Sequence, residues 1–228
     1  GPRLDCLDLR LSQRIFSGRS VPQILDQVLR EHGIVDQDRR IEMAGDYPPR
    51  DFCTQYRETD LQFLQRLCAQ ERLHYHFEHR DDGHCVVFGD GPGNFPIAEA
   101  ALFSEGHGQP AVRRFEVRRC TDGAAQRVAC GTDLATLRSG HLMPLTGHPV
   151  TEWNHPWLLT HIEHQGEQAA SQTYSNTLRA EQWVLPLETP QVALKPRMHS
   201  LQRAWVVDVD EPQPDPSRPV AVQFDWVY

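Results

Sequence analysis

The sequence predicts a mainly β chain with inserted helices, an α+β fold. Two amphipathic helical patterns begin at Ser20 and Thr59, each after a strand-like run, and alternating apolar runs fill most of the remaining chain. The 228 residues include 17 prolines and 15 glycines, which imply many turns and favour a β-rich chain over a helical bundle. Hydrophobic residues at 39% and charged residues at 24% are typical of a globular protein that can bury a core.

The first strand and helix are predicted near the N-terminus. Residues 10–16 alternate weakly between apolar and polar side chains, as a strand does. Ser20 and Gln23 fit a capping box, and Pro22 fits the first turn, where its missing N–H costs nothing. Gly33 is placed to end the helix. The apolar stripe between these signals consists of Val21, Ile24, Leu25, Val28 and Leu29.

The segment 50–79 predicts a short strand, a second helix and a further strand. Thr59 and Gln62 repeat the capping box. The predicted buried stripe of this helix is Leu61, Leu64, Leu67 and Cys68. Residues 74–79 and 84–88 then flank the turn Arg80-Asp-Asp-Gly83, which predicts a β-hairpin.

Strands and turns are predicted for the remainder. Residues 89–96 are read as a loop and 188–196 as a proline-bearing connector. The predicted strands cover residues 111–119, 141–147, 157–164, 174–184, 203–209 and 219–226.

Charge and hydropathy exclude two classes of partner. The formal net charge is −8, and the arginine pairs Arg113-Arg114 and Arg118-Arg119 are too few to neutralise a phosphate backbone, so we expect no nucleic-acid binding. No apolar run is long enough to span a bilayer, so stable membrane insertion is not expected. Since no signal-peptide pattern is recognised either, we expect assembly in the cytoplasm.

The six cysteines, at positions 6, 53, 68, 85, 120 and 130, do not have the spacing of a zinc site. Most have apolar neighbours, as in Phe52-Cys53 and Leu67-Cys68, which favours reduced thiols in the core. A disulfide framework is the alternative.

Histidines offer one route to an enzyme. His74 and His76 would share one face of a strand and could both bind a metal, with Glu78 and His79 close by. In a second group, His161 and Glu163 would lie on one face of a strand and His164 on the other. Exposed polar positions on strands are the alternative for both groups.

Other catalytic patterns are missing from the sequence. It has no GxSxG elbow, and the run Gly89-Asp-Gly-Pro-Gly93 fits a surface loop better than a phosphate cradle because Pro92 removes a donor. The five tryptophans are read as sheet-packing residues. We therefore assign no catalytic, cofactor-binding or metal-binding residue from the sequence.

A series of segments has a distinctive order along the chain. It begins with Arg14-Ile-Phe16, Ser20-Val-Pro-Gln-Ile-Leu25 and Gln55-Tyr-Arg-Glu-Thr-Asp60, the last followed by Phe63-Leu64 and Arg66-Leu67. It continues with Leu137-Arg-Ser-Gly-His141, Leu145-Thr-Gly-His-Pro149, Asn154, Leu158-Leu-Thr160, Ile162-Glu-His-Gln-Gly166, Tyr174-Ser-Asn176, Lys195-Pro-Arg-Met-His-Ser-Leu-Gln202 and Val220-Ala-Val-Gln-Phe-Asp-Trp226. Together these segments resemble the VgrG spike proteins of the type VI secretion system, a family related to the hubs of contractile phage tails.

The resemblance implies small β-barrel modules with inserted helices. It places a tail hub-like region at residues 1–194 and the incomplete start of an OB-fold at residues 195–228. Members of the family are much longer, with a β-region before Leu4 and a needle beyond the OB-fold. The chain departs from the family at Glu71-Arg72-Leu73, where a glycine-containing turn is usual, and it is expected to be shortened between about 115 and 137.

The same resemblance implies a structural role without catalysis. The full-length protein would be a homotrimer that joins the hexameric Hcp tube to a needle, with a PAAR tip protein and effectors or adaptors bound through C-terminal parts. It would be ejected from the cell without a signal peptide. Two alternatives remain open: a tail hub or baseplate protein of a contractile phage or phage-like particle, and a metal hydrolase that uses His74 and His76.

Overall fold

The structure is a computed structural model that describes residues 3–106, 108–119, 126–166, 174–182, 195–208 and 220–226. Within these ranges the helices are α1 (Val21–Glu31) and α2 (Asp60–Glu71), supplemented by short 3₁₀ turns. The strands are β1 (Leu11–Arg19), β2 (Arg39–Glu42), β3 (Arg50–Thr59), β4 (His74–Arg80), β5 (Gly83–Gly89), β6 (Ala101–Leu102), β7 (Val112–Arg119), β8 (Gln126–Thr132), β9 (Leu142–Thr146), β10 (Pro156–Gly166), β11 (Tyr174–Gln182), β12 (Ala204–Asp208) and β13 (Ala221–Phe224). The predicted mainly β fold with inserted helices is therefore confirmed.

The chain divides into two compact units by its contacts. Unit 1 combines Gly1–Val35, Gly45–Glu71 and Gln191–Tyr228, and unit 2 combines Asp36–Ala44 and Arg72–Pro190. The predicted domain boundary between residues 194 and 195 stays a prediction. Residues 188–194 of the predicted connector lie outside the described residues. The same is true of the last two residues of the strand predicted at 174–184.

Unit 1 contains an antiparallel β1–β3 pair and both helices. Helix α1 forms where the sequence predicts it: the Gln23 side chain accepts a hydrogen bond of 2.9 Å from the Ser20 N–H. At its other end, Gly33 has a φ of +70°, and the N–H of Ile34 donates to the carbonyl of Leu29 at 3.0 Å. This Schellman ending satisfies carbonyls that the helix leaves unpaired.

Helix α2 has the second predicted capping box, since Thr59 N–H donates to Gln62 at 3.0 Å and Gln62 N–H donates to the Thr59 hydroxyl at 3.2 Å. Its buried face differs from the predicted stripe. Leu61 is only half-buried, whereas Phe63 and Arg66 are buried. Phe63 turns inward because its ring stacks on Phe16 of β1, with centroids 5.5 Å apart.

The end of the chain adds an antiparallel pair, β12–β13, to unit 1. This pair agrees with the strands predicted at 203–209 and 219–226 for the residues that are described. Trp226 packs edge-on against Tyr56 of β3 at 5.3 Å. The ribbon leaves several large apolar side chains exposed, namely Trp205, Val206, Val207 and Val222. That β12 and β13 begin an OB-fold stays a prediction.

Unit 2 begins with a three-stranded sheet in the order β2-β5-β4. The β4–β5 hairpin has the predicted turn, with Arg80 paired to Gly83. Strand β2, which the sequence analysis did not predict, runs parallel to β5.

The larger part of unit 2 is a six-stranded sheet in the order β6-β9-β10-β11-β8-β7. Its two ends meet where Phe103, just after β6, forms a parallel bridge with Val112 at the start of β7. The sheet therefore curls into a barrel-like module, as expected. Its interior holds Ala101, Val112, Phe115, Val128, Cys130, Leu137, Met143, Leu145, Trp157, Leu159, Leu178 and Ala180.

The described cysteines are free thiols: Cys6 is exposed and the other four, Cys53, Cys68, Cys85 and Cys130, are buried. Burial raises the pKa of both Cys68 and Cys130 to about 12, so these thiols are poor nucleophiles. Cys120 lies outside the described residues. Among the described residues, no helix is long and apolar enough to cross a membrane.

Candidate functional site: a buried polar network beneath β3

The segment Gln55–Asp60, the centre of the sequence resemblance, forms a polar network that begins with a β-bulge. Ser12 pairs with Glu58 and Gln13 pairs with Tyr56, so Arg57 has no partner on β1. Arg57 takes up the extra length with a left-handed φ of +50°. Residues three apart on a regular strand face opposite sides, and the bulge instead turns Gln55 and Glu58 to the same buried side.

Asp60 is the centre of the network. One carboxylate oxygen accepts hydrogen bonds from Arg14 at 2.9 Å and from Gln55 at 2.8 Å, and the other lies 2.7 Å from His32 Nε2. Gln55 is fully buried and also accepts a 2.8 Å bond from Arg14. Through these contacts Asp60 joins β1, β3 and the end of α1 to the start of α2.

Asp60 is held as an ionised acceptor. Burial alone would raise its pKa, but hydrogen bonds from His32 and Gln55 and the charge of Arg14 outweigh burial and lower the pKa below its ordinary value of 3.8. A carboxyl group with a lowered pKa and filled acceptor sites is poorly suited to donate a proton as a general acid. Its position at the first residue of α2 also suits the positive end of the helix dipole.

The second part of the network is the ion pair between Glu58 and Arg66. The guanidinium of Arg66 donates to both carboxylate oxygens, at 3.0 and 2.5 Å, and to the Thr54 carbonyl at 3.1 Å. The Arg66 side chain is 1% exposed and that of Glu58 is 8% exposed. This bidentate pair fixes the orientation of α2 on β3, which is a structural task.

Sequence reasoning singled out this segment by resemblance but missed the roles of Gln55, Glu58 and Arg66. The sequence gives little signal for Arg66, because on a helical wheel it lies opposite the predicted stripe of Leu61, Leu64, Leu67 and Cys68. The partner could not be identified, because the bulge at Arg57 reverses the face on which Glu58 would be expected.

The first histidine group consists of His74, His76, Glu78 and His79, and these side chains have different surroundings in the structure. His74 and His76 share one face of β4, as predicted, and both lie against Phe95, with ring centroids 4.1 and 5.3 Å away. Glu78 accepts hydrogen bonds from Arg40 at 2.7 and 2.5 Å, and its carboxylate lies 4.0 Å from His76 Nε2. His79 is exposed.

Burial lowers the pKa of His76, against the opposing charge of Glu78, and both of its ring nitrogens are buried without a hydrogen-bond partner among the described residues. The pair His74 and His76 therefore packs as aromatic rings against Phe95.

The second group lies on β10. His161 and Glu163 line the same shallow groove on the outer side of the sheet, whereas His164 lies on the other side with Tyr174, as predicted. Within the described part of the chain, no three His, Cys, Asp or Glu side chains are placed to hold one metal ion.

The loop after β5 also has a structural explanation. Asn94 accepts a hydrogen bond of 3.0 Å from the Gly91 N–H and donates one of 3.1 Å to the Glu42 carbonyl. These bonds tie the loop to β2, in agreement with its interpretation as a loop.

Capped helices on a two-stranded sheet, buried ion pairs and a curled six-stranded sheet define a scaffold of the tail-hub class. Residues 1–125 match the family described as phage tail baseplate hub (GPD), and the chain belongs to this family.

Two spike proteins of Pseudomonas aeruginosa are similar over 99% of the chain: the type VI secretion system spike proteins VgrG5, at 31% identity, and VgrG4b, at 29%. The chain spans only about two fifths of their length, at 39% and 38%. Each alignment runs over 313 positions against the 228 residues of the chain, so at least 85 positions face gaps. That the shortening falls between residues 115 and 137 stays a prediction.

Two solved structures share the fold. The E. coli c3393 protein, described as a component of the type VI secretion system similar to the T4 tail proteins gp27 and gp5, matches 92% of the chain with a TM-score of 0.77 and 19% identity, over 63% of its own length. A tail protein from Neisseria meningitidis matches 77% of the chain with a TM-score of 0.53 and 13% identity, over 71% of its own length. The predicted VgrG-like, tail hub-like fold is thus confirmed.

Proposed function

We propose that the chain is the hub part of a type VI secretion spike, a structural component that joins the Hcp tube to the needle and helps to deliver effectors. The observation that carries the proposal is the similarity to two spike proteins over nearly the whole chain. The buried network at Asp60 and Glu58 supports it, because these groups hold helices on strands and are not accessible to a substrate.

The full-length parent would form a homotrimer around a three-fold axis, so that two similar modules per chain face the six-membered Hcp ring. A PAAR tip protein and effectors or adaptors would bind through C-terminal parts. The protein would assemble in the cytoplasm and leave the cell with the tube, without a signal peptide. No catalytic residue, cofactor or metal enters this proposal.

The test is genetic. The parent gene is deleted, and the tube protein is measured in the culture medium and in the cells. We expect release to stop while the cellular amount of tube protein is unchanged, and expression of the intact gene to restore release. Normal release from the deletion strain, with no second copy of the gene in the genome, would contradict the proposal.

A hub of a contractile phage or phage-like particle is the second candidate. It is favoured by the family match to a phage baseplate hub and by the structural match to a tail protein. If it is correct, the protein sediments with tail-like particles after induction, and deletion abolishes those particles without changing release of a secretion tube.

A further inference from the structure

An open groove with a volume of about 420 Å³ lies in unit 2 beside the end of the β4–β5 hairpin. Most polar groups along it are hydrogen-bond donors, and its floor includes the buried Leu137. The lining includes His79, Arg80, Asp81, Arg138 and His164. A groove lined by donors over an apolar floor is suited to an anion, because the floor weakens the screening by water.

Arg138 supplies the main charge of the groove. One of its terminal nitrogens donates to the His79 carbonyl at 3.1 Å, which holds the guanidinium at the groove. No carboxylate of the described residues forms an ion pair with Arg138. The other arginine is already engaged, since Arg80 donates to the Gln37 carbonyl at 2.6 Å and lies 3.9 Å from Asp82 and 4.0 Å from Asp38.

Two hydrogen bonds bear on which ring nitrogen of His164 carries a hydrogen. The buried Asn176 amide donates to the Tyr174 hydroxyl oxygen at 3.0 Å, and that hydroxyl lies 2.5 Å from His164 Nδ1. Because Tyr174 accepts from Asn176, its own hydrogen is free to be donated to Nδ1. In the tautomer in which Nδ1 accepts this bond, Nε2 carries the hydrogen and is a second donor for a ligand at the groove.

We propose that this groove binds an oxyanion, a phosphate or carboxylate group, through the guanidinium of Arg138 and the Nε2–H of His164. Because Arg80 lies against Asp82 and Asp38, Arg138 is the cationic group of the lining that is left for a ligand. Planar guanidinium groups bind two oxygens of such anions at once. The anion could come from a free phosphate or from an acidic side chain of another polypeptide.

The test uses the full 228-residue chain and two probes, inorganic phosphate and a short peptide rich in glutamate, each titrated by calorimetry and by NMR of histidine and arginine side chains. We expect Arg138→Gln to weaken binding about ten- to hundredfold, since it removes a charged hydrogen bond. Arg118→Gln is the matched control, because Arg118 is a largely exposed arginine on β7, away from the groove.

Tyr174→Phe tests the positioning role of the hydroxyl. It should weaken binding and also shift the histidine nitrogen signals of His164 toward a mixture of tautomers, which a merely structural change would not do. Tighter binding of phosphate than of peptide would identify a free anion as the ligand, and the reverse would identify a partner's carboxylate. No binding of either probe below about 10 mM, or equal loss in Arg118→Gln and Arg138→Gln, would overturn the proposal.

Discussion

Acid is expected to destabilise unit 2 through His74. This side chain lies on β4 with its ring stacked on Phe95, and its Nε2 is buried without a hydrogen-bond partner among the described residues. Burial lowers the pKa of His74 from 6.5 to about 4; the charge of His76 adds to this effect and that of Asp90 opposes it. Replacing His74 with glutamine removes the titrating group and keeps a polar side chain.

The sign of the effect follows from the two pKa values. The folded value of about 4 lies below the ordinary 6.5, so between these pH values the unfolded chain binds a proton that the folded chain does not. The free energy of unfolding therefore decreases as the pH falls through this window. Each pH unit corresponds to about 1.4 kcal/mol, so the loss that is due to His74 approaches about 3 kcal/mol at pH 4.

Urea titrations at neutral pH and at about pH 4 would measure this loss, with hydrogen exchange of β4 and β5 amides to follow unit 2 separately. We expect the wild type to lose about 3 kcal/mol more than His74→Gln between the two conditions. His79→Gln, which removes an exposed ring from the same strand, should keep most of the wild-type loss. Equal losses in the wild type and in His74→Gln would refute the reasoning.

Three further perturbations follow from the same structure. Arg66→Met leaves Glu58 buried without its partner and should lower the free energy of unfolding by about 3–5 kcal/mol in a urea titration; a change below about 1 kcal/mol would show that the pair is hydrated. Gly140→Ala should cost about 1–3 kcal/mol in the same assay, because Gly140 has a φ of +76° and a Cβ there would lie 2.6 Å from that of His76. The Cys68 thiol, with its pKa raised to about 12, should react with a thiol reagent at mildly alkaline pH only after unfolding, and rapid labelling of the folded protein would contradict its burial.

Local signals explain why the helices were predictable. The capping boxes at Ser20 and Thr59 depend on side chains only three residues apart, and Gly33 ends α1 through its own backbone conformation. Such interactions are encoded within one turn of chain. The β4–β5 hairpin was predictable for the same reason, because its turn residues lie between two β-prone runs.

Non-local pairing explains what the sequence could not predict. Strand β2 has only four residues and pairs in parallel with β5, more than forty residues away. Strand β8 contains Cys130 and Gly131, which give a weak β signal, yet it lies between β7 and β11 in the larger sheet. The same applies to the site: the bulge at Arg57 depends on the register with β1, and it decides which side Glu58 faces.

The hub assignment is tested most directly by electron cryo-microscopy of the full-length parent protein mixed with its tube protein. The account predicts three copies of the parent, each with the curled six-stranded sheet and the capped helices seen in this chain, seated together on one end of a six-membered ring. A parent protein that stays monomeric and leaves the ring unoccupied would contradict it.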